Sequence, residues 1–125
     1  MSGLPDAAEP LGPSDADKPL GLSDVDKPLG LSDFQHWIER IYFEKDRARG
    51  TAATYMWFAE EVGELTRALR RGEAENLAEE FADVLAWLAT LASIHGVDLQ
   101  AAARAKYGQG CPYCRAVPCA CVEKA

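Results

Sequence analysis

Two short runs of acids stand on either side of a glycine: Glu60, Glu61 and Glu64 before Gly72, then Glu79, Glu80 and Asp83 after it. Carboxylates that converge hold hard divalent cations well, and such cations in turn hold phosphates. Carboxylates scattered over a helix surface are only solvated charges. The question is whether the chain makes these acids meet.

The surrounding residues decide which elements would carry them. Phe34, Trp37, Ile38, Ile41 and Tyr42 recur at helical spacing, and Ser32 with Gln35 has the form of a capping box, so a first helix is predicted from Ser32 to about Ala48. Gly50 is a stop, Thr51 a cap for a second helix reaching about Arg71, and Gly72 ends that helix. Glu73 to Glu75 put acids into the first turn of a third helix, where the dipole favours them, and that helix reaches His95. Asp98 caps a short fourth helix through Tyr107, and no strand signal lies between Ser32 and Tyr107.

Helical geometry then places the acids. The expected core stripes are Tyr55, Phe58, Val62, Leu65 and Leu69 on the second helix, and Leu77, Phe81, Val84, Leu85 and Leu88 on the third. At about 100° per residue, Glu61 and Glu64 lie to one side of the first stripe, and Glu80 and Asp83 at the same offset from the other. Gly72 is the midpoint between Glu64 and Glu80 and also between Glu61 and Asp83. An antiparallel hairpin turning there would set each pair level, about 10 Å from the bend.

A solvated acidic face is the plain alternative. Against it, Trp57 precedes the first acids by one turn and Trp87 follows Asp83 by one turn, so aromatics extend the acidic stripe. Carboxylates converging beside aromatics would be desolvated and would repel unless cations neutralised them. Oxygen ligands without nearby histidines argue against zinc or iron, and neither His36 nor His95 completes a Glu-x-x-His pair. Mg²⁺ or Mn²⁺ is the expected guest. Magnesium shares its shell with substrate phosphates, which makes such a pocket a receptor for a polyphosphate.

Glu60-Glu61-Val62-Gly63-Glu64 followed by Glu80-Phe81-Ala82-Asp83 resembles the EExxE and ExxD motif pair of the MazG-like nucleotide pyrophosphohydrolases, over about residues 33 to 107. The resemblance implies an all-α unit, dimeric or higher, that hydrolyses a nucleoside triphosphate to the monophosphate and pyrophosphate, including for nucleotide-pool house-cleaning. Carried over by position, Glu61, Glu64, Glu80 and Asp83 would be Mg²⁺ ligands. Glu60 would be a further ligand or the residue that orients water and accepts its proton as it attacks the α-phosphorus. Lys45, Arg47 and Arg49 cluster near the end of the first helix and would face phosphates, although a solvated terminus favoured by the dipole explains them as well. Trp57 and Trp87 are the first candidates for stacking a base, with Trp37 as a third. Unlike two-domain members of the family, the chain has a single such unit, and no residue identifies the preferred base or sugar. A non-catalytic helical interaction module and a nucleotide-binding regulator without turnover remain the competing readings.

The flanks differ from this unit. Pro10, Pro19 and Pro28 each open a copy of Pro-Leu-Gly-x-Ser-Asp, too rich in proline and glycine and too poor in apolar residues to pack, so residues 1–31 are expected to form a disordered arm. Residues 32–108 form the expected helical domain, four helices completed by dimerisation because so small a unit buries little surface alone. Residues 109–125 form a tail whose Cys111, Cys114, Cys119 and Cys121 suit a structural zinc ion better than disulfides. Twenty acids against thirteen basic residues give a charge of -7, which repels nucleic-acid backbones. No apolar stretch is long enough for a bilayer, and Met1 to Pro10 has no basic or apolar leader segment, so a cytoplasmic location is expected.

Overall fold

The computed structural model describes residues 28–122, and all regular structure among them is helical. α1 spans Leu31–Arg71, α2 Ala74–Ile94 and α3 Leu99–Tyr107. Residues 1–27, most of the repeat-containing arm, lie outside the described residues.

The first two helices expected from the sequence are the two halves of α1, which passes through Gly50 at φ 80° and ψ 177°. Only glycine adopts that backbone conformation without strain, and its one residue of non-helical geometry separates the halves. Gly72 then closes α1 in the left-handed conformation, its N–H bonded to Ala68 O at 2.8 Å, and α2 returns antiparallel along α1. Asp98 caps α3 as expected, accepting from the Ala101 N–H at 3.1 Å.

The start of α1 differs from the expected capping box. Gly30 is the N-cap, and Asp33 reaches back to accept from its N–H at 3.0 Å. Gln35 is 1% exposed and joins three elements instead: its Nε2 donates to Ser93 Oγ at 3.1 Å and Val97 O at 2.7 Å, and its Oε1 accepts from Leu99 N–H at 2.9 Å. Ser32 likewise turns to α3, donating from Oγ to Asp98 Oδ1 at 3.3 Å. A buried amide with donors and acceptors on three sides gains more from these partners than a first-turn cap offers. Thr51, also expected as a cap, places its hydroxyl 2.9 Å from His95 Nε2 across the hairpin.

The expected core stripes require a second correction. Tyr55, Val62 and Leu69 on α1 and Phe81, Leu85 and Leu88 on α2 are exposed, while Thr54, Ala68, Ala89 and Thr90 are buried between the helices. Small side chains allow close approach, so α1 and α2 meet along a narrow seam of Ala and Thr; Phe58, Leu65, Leu77 and Val84 of the expected stripes are half-buried, and the other bulky apolar residues of the stripes face outward. The remaining buried apolar residues are Ile38, Phe43, Ala92 and Ile94. No helix among the described residues is long and apolar enough to cross a membrane.

Candidate active site

Helix registry assembles the site. Trp57 and Trp87 stand equally far from Gly72 along the chain, and their rings stack with centroids 6.2 Å apart and 14° between planes. That pairing sets Glu61 level with Asp83 one turn nearer the bend. Glu61, Glu80 and Asp83 each offer a carboxylate oxygen, and these oxygens lie within 4.8 Å of one another.

Three anionic oxygens at that separation repel. Burial, followed by the charges of Asp83, Glu80, Glu64 and Glu60, raises the Glu61 carboxyl above its ordinary value. Glu80 Oε2 is buried with no hydrogen-bond partner among the described residues. A buried acceptor without a donor is costly, and a cation between the three carboxylates would satisfy it. The donor set is oxygen alone, so it fits a hard ion such as Mg²⁺ or Mn²⁺.

The other residues singled out by the sequence divide around this trio. Glu64 belongs to the level below and is half-buried, its Oε2 3.4 Å from Arg67 Nη1. Glu60 is exposed, and its charge is the weakest of the four acting on Glu61. Arg49 lies over the Trp87 ring, 5.0 Å from the centroid, extending the aromatic stack by one cation. Arg47 packs over Phe43 at 6.0 Å, and Lys45 is exposed on the same half of α1. Trp37 carries Arg40 at 5.7 Å, away from the Trp57–Trp87 pair. Toward the bend, Arg67, Arg70 and Arg71 line an open cleft of about 300 Å³.

Sequence reasoning missed Asp46. It is 5% exposed, accepts from Arg49 Nη1 at 2.8 Å and from Thr90 Oγ1 at 3.1 Å, and so holds Arg49 in place over Trp87. A signal existed: Gln35, Glu39, Phe43 and Asp46 share one helical stripe with the apolar residues of α1, and each is buried. Polar residues on a core stripe are the ones that need partners.

A second group with metal-holding potential lies beyond α3, where one sulfur from each of Cys111, Cys114, Cys119 and Cys121 falls within 4.8 Å of the others. Backbone N–H groups of Ala116 and Ala120 hold the Cys114 thiol down to about 6, while the neighbouring sulfurs of Cys119, Cys114 and Cys111 push Cys121 up to about 12.

No individual curated protein matches the chain. Residues 49–114, more than half of its length, match the family model of the MazG nucleotide pyrophosphohydrolase domain, a segment that begins at Arg49 and takes in both acidic runs and the stacked tryptophans. The helical hairpin, its carboxylate trio and this match agree: the chain belongs to the MazG nucleotide pyrophosphohydrolase family.

Proposed function

We propose that the chain hydrolyses nucleoside triphosphates to the monophosphate and pyrophosphate with Mg²⁺ as cofactor. The observation that carries this reading is the buried Glu80 Oε2, an acceptor lacking a donor, within 4.8 Å-spaced carboxylates of Glu61 and Asp83. Glu61, Glu80 and Asp83 hold the ion, with Glu64 adjoining once released from Arg67. When bound, Mg²⁺ neutralises the triphosphate and lowers the pKa of a water.

The chain's own groups do the rest. Glu60, exposed beside the trio, accepts the proton of the attacking water. Trp57 and Trp87 offer an aromatic surface to the base, and Arg49 lies over the Trp87 ring. Arg67, Arg70 and Arg71 supply positive charge on the other side of the acids, where a leaving pyrophosphate develops charge. Lys45 and Arg47 add to the field from the end of the first half of α1.

A homodimer completes the unit. Tyr55, Val62, Leu69, Phe81, Leu85 and Leu88 form an exposed apolar face on the back of the hairpin, the kind of surface a second copy covers. The helical domain, residues 32–108, carries the activity in the cytoplasm. Analytical ultracentrifugation showing monomer alone at micromolar concentration would remove the dimer.

Incubation with dNTPs and NTPs, with and without Mg²⁺, and identification of products tests the reaction. Pyrophosphate with a nucleoside monophosphate supports it. Stepwise orthophosphate points to another hydrolase, Mg²⁺-dependent binding without turnover to a regulator, and neither binding nor turnover to an interaction module.

A further inference from the structure

The segment after α3 folds without a core. Tyr113, Val117 and Val122 are 85%, 82% and 93% exposed, so apolar burial does not hold it. It nevertheless closes on itself. Cys111 N–H donates to Ala116 O at 3.1 Å, Arg115 N–H donates to Cys111 O at 2.7 Å, and Arg115 sits at φ 64°, a conformation that disfavours its side chain. At Gly110, a Cβ would lie 2.9 Å from Val117 Cγ2 and 3.0 Å from Ala116 O, so the loop passes tightly over its own start. Something other than packing must stabilise this arrangement.

The sulfurs supply it. Cys111 Sγ lies 3.7 Å from Cys121 Sγ and 3.6 Å from Cys119 Sγ, and Cys114 Sγ lies 4.0 Å from Cys119 Sγ. A regular tetrahedron of sulfurs about 2.3 Å from a central zinc has edges of about 3.8 Å. Paired disulfides would instead give two contacts of about 2.0 Å and longer separations elsewhere. Backbone N–H groups already point at the sulfurs, Ala120 at Cys114 Sγ and Cys121 at Cys119 Sγ, both at 3.3 Å. Such donors orient thiolate ligands and spread their charge. Four thiolates around Zn²⁺ leave a net negative centre, and Arg104, Lys106 and Arg115 line the adjoining cleft.

The geometry points to a closed four-sulfur zinc site formed by Cys111, Cys114, Cys119 and Cys121 that folds residues 110–121 onto the end of α3. It is independent of the proposed hydrolase reading. The family match ends at residue 114, so Cys111 and Cys114 lie inside the matched segment while Cys119 and Cys121, which complete the site, lie beyond it. The two donor sets also differ in kind: oxygens between α1 and α2 select a hard ion, while sulfurs after α3 select a soft one. With all four positions filled by sulfur, the zinc has no place for water and is structural.

The test uses the full chain, isolated from zinc-replete cells without added reductant and dialysed against excess Mg²⁺. Elemental analysis should find about one zinc per chain, released stoichiometrically as the thiols are titrated with a mercurial. Cobalt exchanged into the site should show sulfur-to-metal charge transfer and the intense visible bands of a tetrahedral tetrathiolate. Both double variants, Cys111→Ser with Cys114→Ser and Cys119→Ser with Cys121→Ser, should lose the zinc while far-ultraviolet circular dichroism keeps its helical signal. Two disulfides by intact mass, iron in place of zinc, a six-coordinate cobalt spectrum, or full zinc retention in the second double variant would each overturn the assignment. The cobalt spectrum of the unaltered chain decides the matter even if a variant misfolds.

Discussion

Trp57 of α1 and Trp87 of α2 stack across the hairpin, 6.2 Å apart, and Arg49 lies over the Trp87 ring at 5.0 Å from its centroid. The stack adjoins the carboxylate trio by one helical turn, so in the proposed reaction a base on the stack would have its phosphates at the acids. Trp57 is 47% exposed, which leaves surface for a ligand. Trp57→Ala should raise KM for nucleotides by roughly tenfold, since stacking on an aromatic contributes about 1–3 kcal/mol per base, with a smaller effect on kcat. Steady-state kinetics with several nucleotides checks this, and an unchanged KM would place the base elsewhere.

The carboxylate trio makes opposite demands on activity and on stability. Asp83→Asn, Glu61→Gln and Glu64→Gln should each reduce Mg²⁺-dependent turnover by about a hundredfold or more, because several kcal/mol of charge stabilisation are lost. The same Glu61→Gln change removes repulsion among unneutralised acids, so the metal-free protein should melt at a higher temperature than the unaltered chain and lose its Mg²⁺-induced rise in Tm. Differential scanning calorimetry with and without Mg²⁺ reads both effects. Full turnover in these variants would reject the ligand assignment.

Acidity should act through Glu61. Its folded-state value is raised by burial and by neighbouring carboxylates, so the folded metal-free protein binds a proton that the unfolded chain releases. Stability from this group is therefore present below the ordinary value of 4.5 and is lost as pH rises through the raised one. The prediction is a metal-free Tm that declines as pH rises above 4.5, and a Mg²⁺ affinity that climbs as the competing proton leaves. A Tm insensitive to pH there would remove the repulsive cluster from the account.

Asp46 should matter out of proportion to its distance from the acids. Asp46→Ala leaves the buried Thr90 hydroxyl without its acceptor and Arg49 with only Thr54 Oγ1 at 3.5 Å, at a cost of about 1–3 kcal/mol, and loosens the guanidinium over Trp87. Chemical denaturation measures the first effect. Fluorescence of the Trp57–Trp87 pair, followed during nucleotide titration, measures the second.

A pair of glycines on α1 should respond in opposite directions. Gly50→Ala forces a side chain into the φ 80°, ψ 177° conformation and should destabilise by about 1–3 kcal/mol, although a Cβ there meets nothing within 4 Å. Gly63 sits within the helix with equally open space, so Gly63→Ala should stabilise by about 0.5–1 kcal/mol. Urea midpoints of the two variants moving the same way would contradict the backbone argument.

The acidic residues were legible because helical periodicity and a central glycine jointly specify registry: Glu61 and Asp83 could be placed level from numbering alone. What numbering could not reveal was which face of each helix turned inward. The run of Tyr55, Val62 and Leu69 reads as a core stripe by composition, yet the seam belongs to Thr54, Ala68 and Ala89, because closeness of approach outweighs the size of the side chains. Gln35 was read as a cap because local patterns favour local partners, while its observed partners, Ser93, Val97 and Leu99, lie far along the chain. Asp46 has a local partner in Arg49 and a place on the buried stripe, but the second half of its acceptor role comes from Thr90, far along the chain on α2.

The bend at Gly72 makes helix spacing a variable of the chemistry. One residue inserted within α2 between Ala74 and Glu80 would turn the acids of that helix by about 100° and advance them by about 1.5 Å relative to those of α1. Every carboxylate would survive such a change in the sequence, and the cage they form would be dismantled; spacing across the bend is as much an ingredient of the site as the acids themselves.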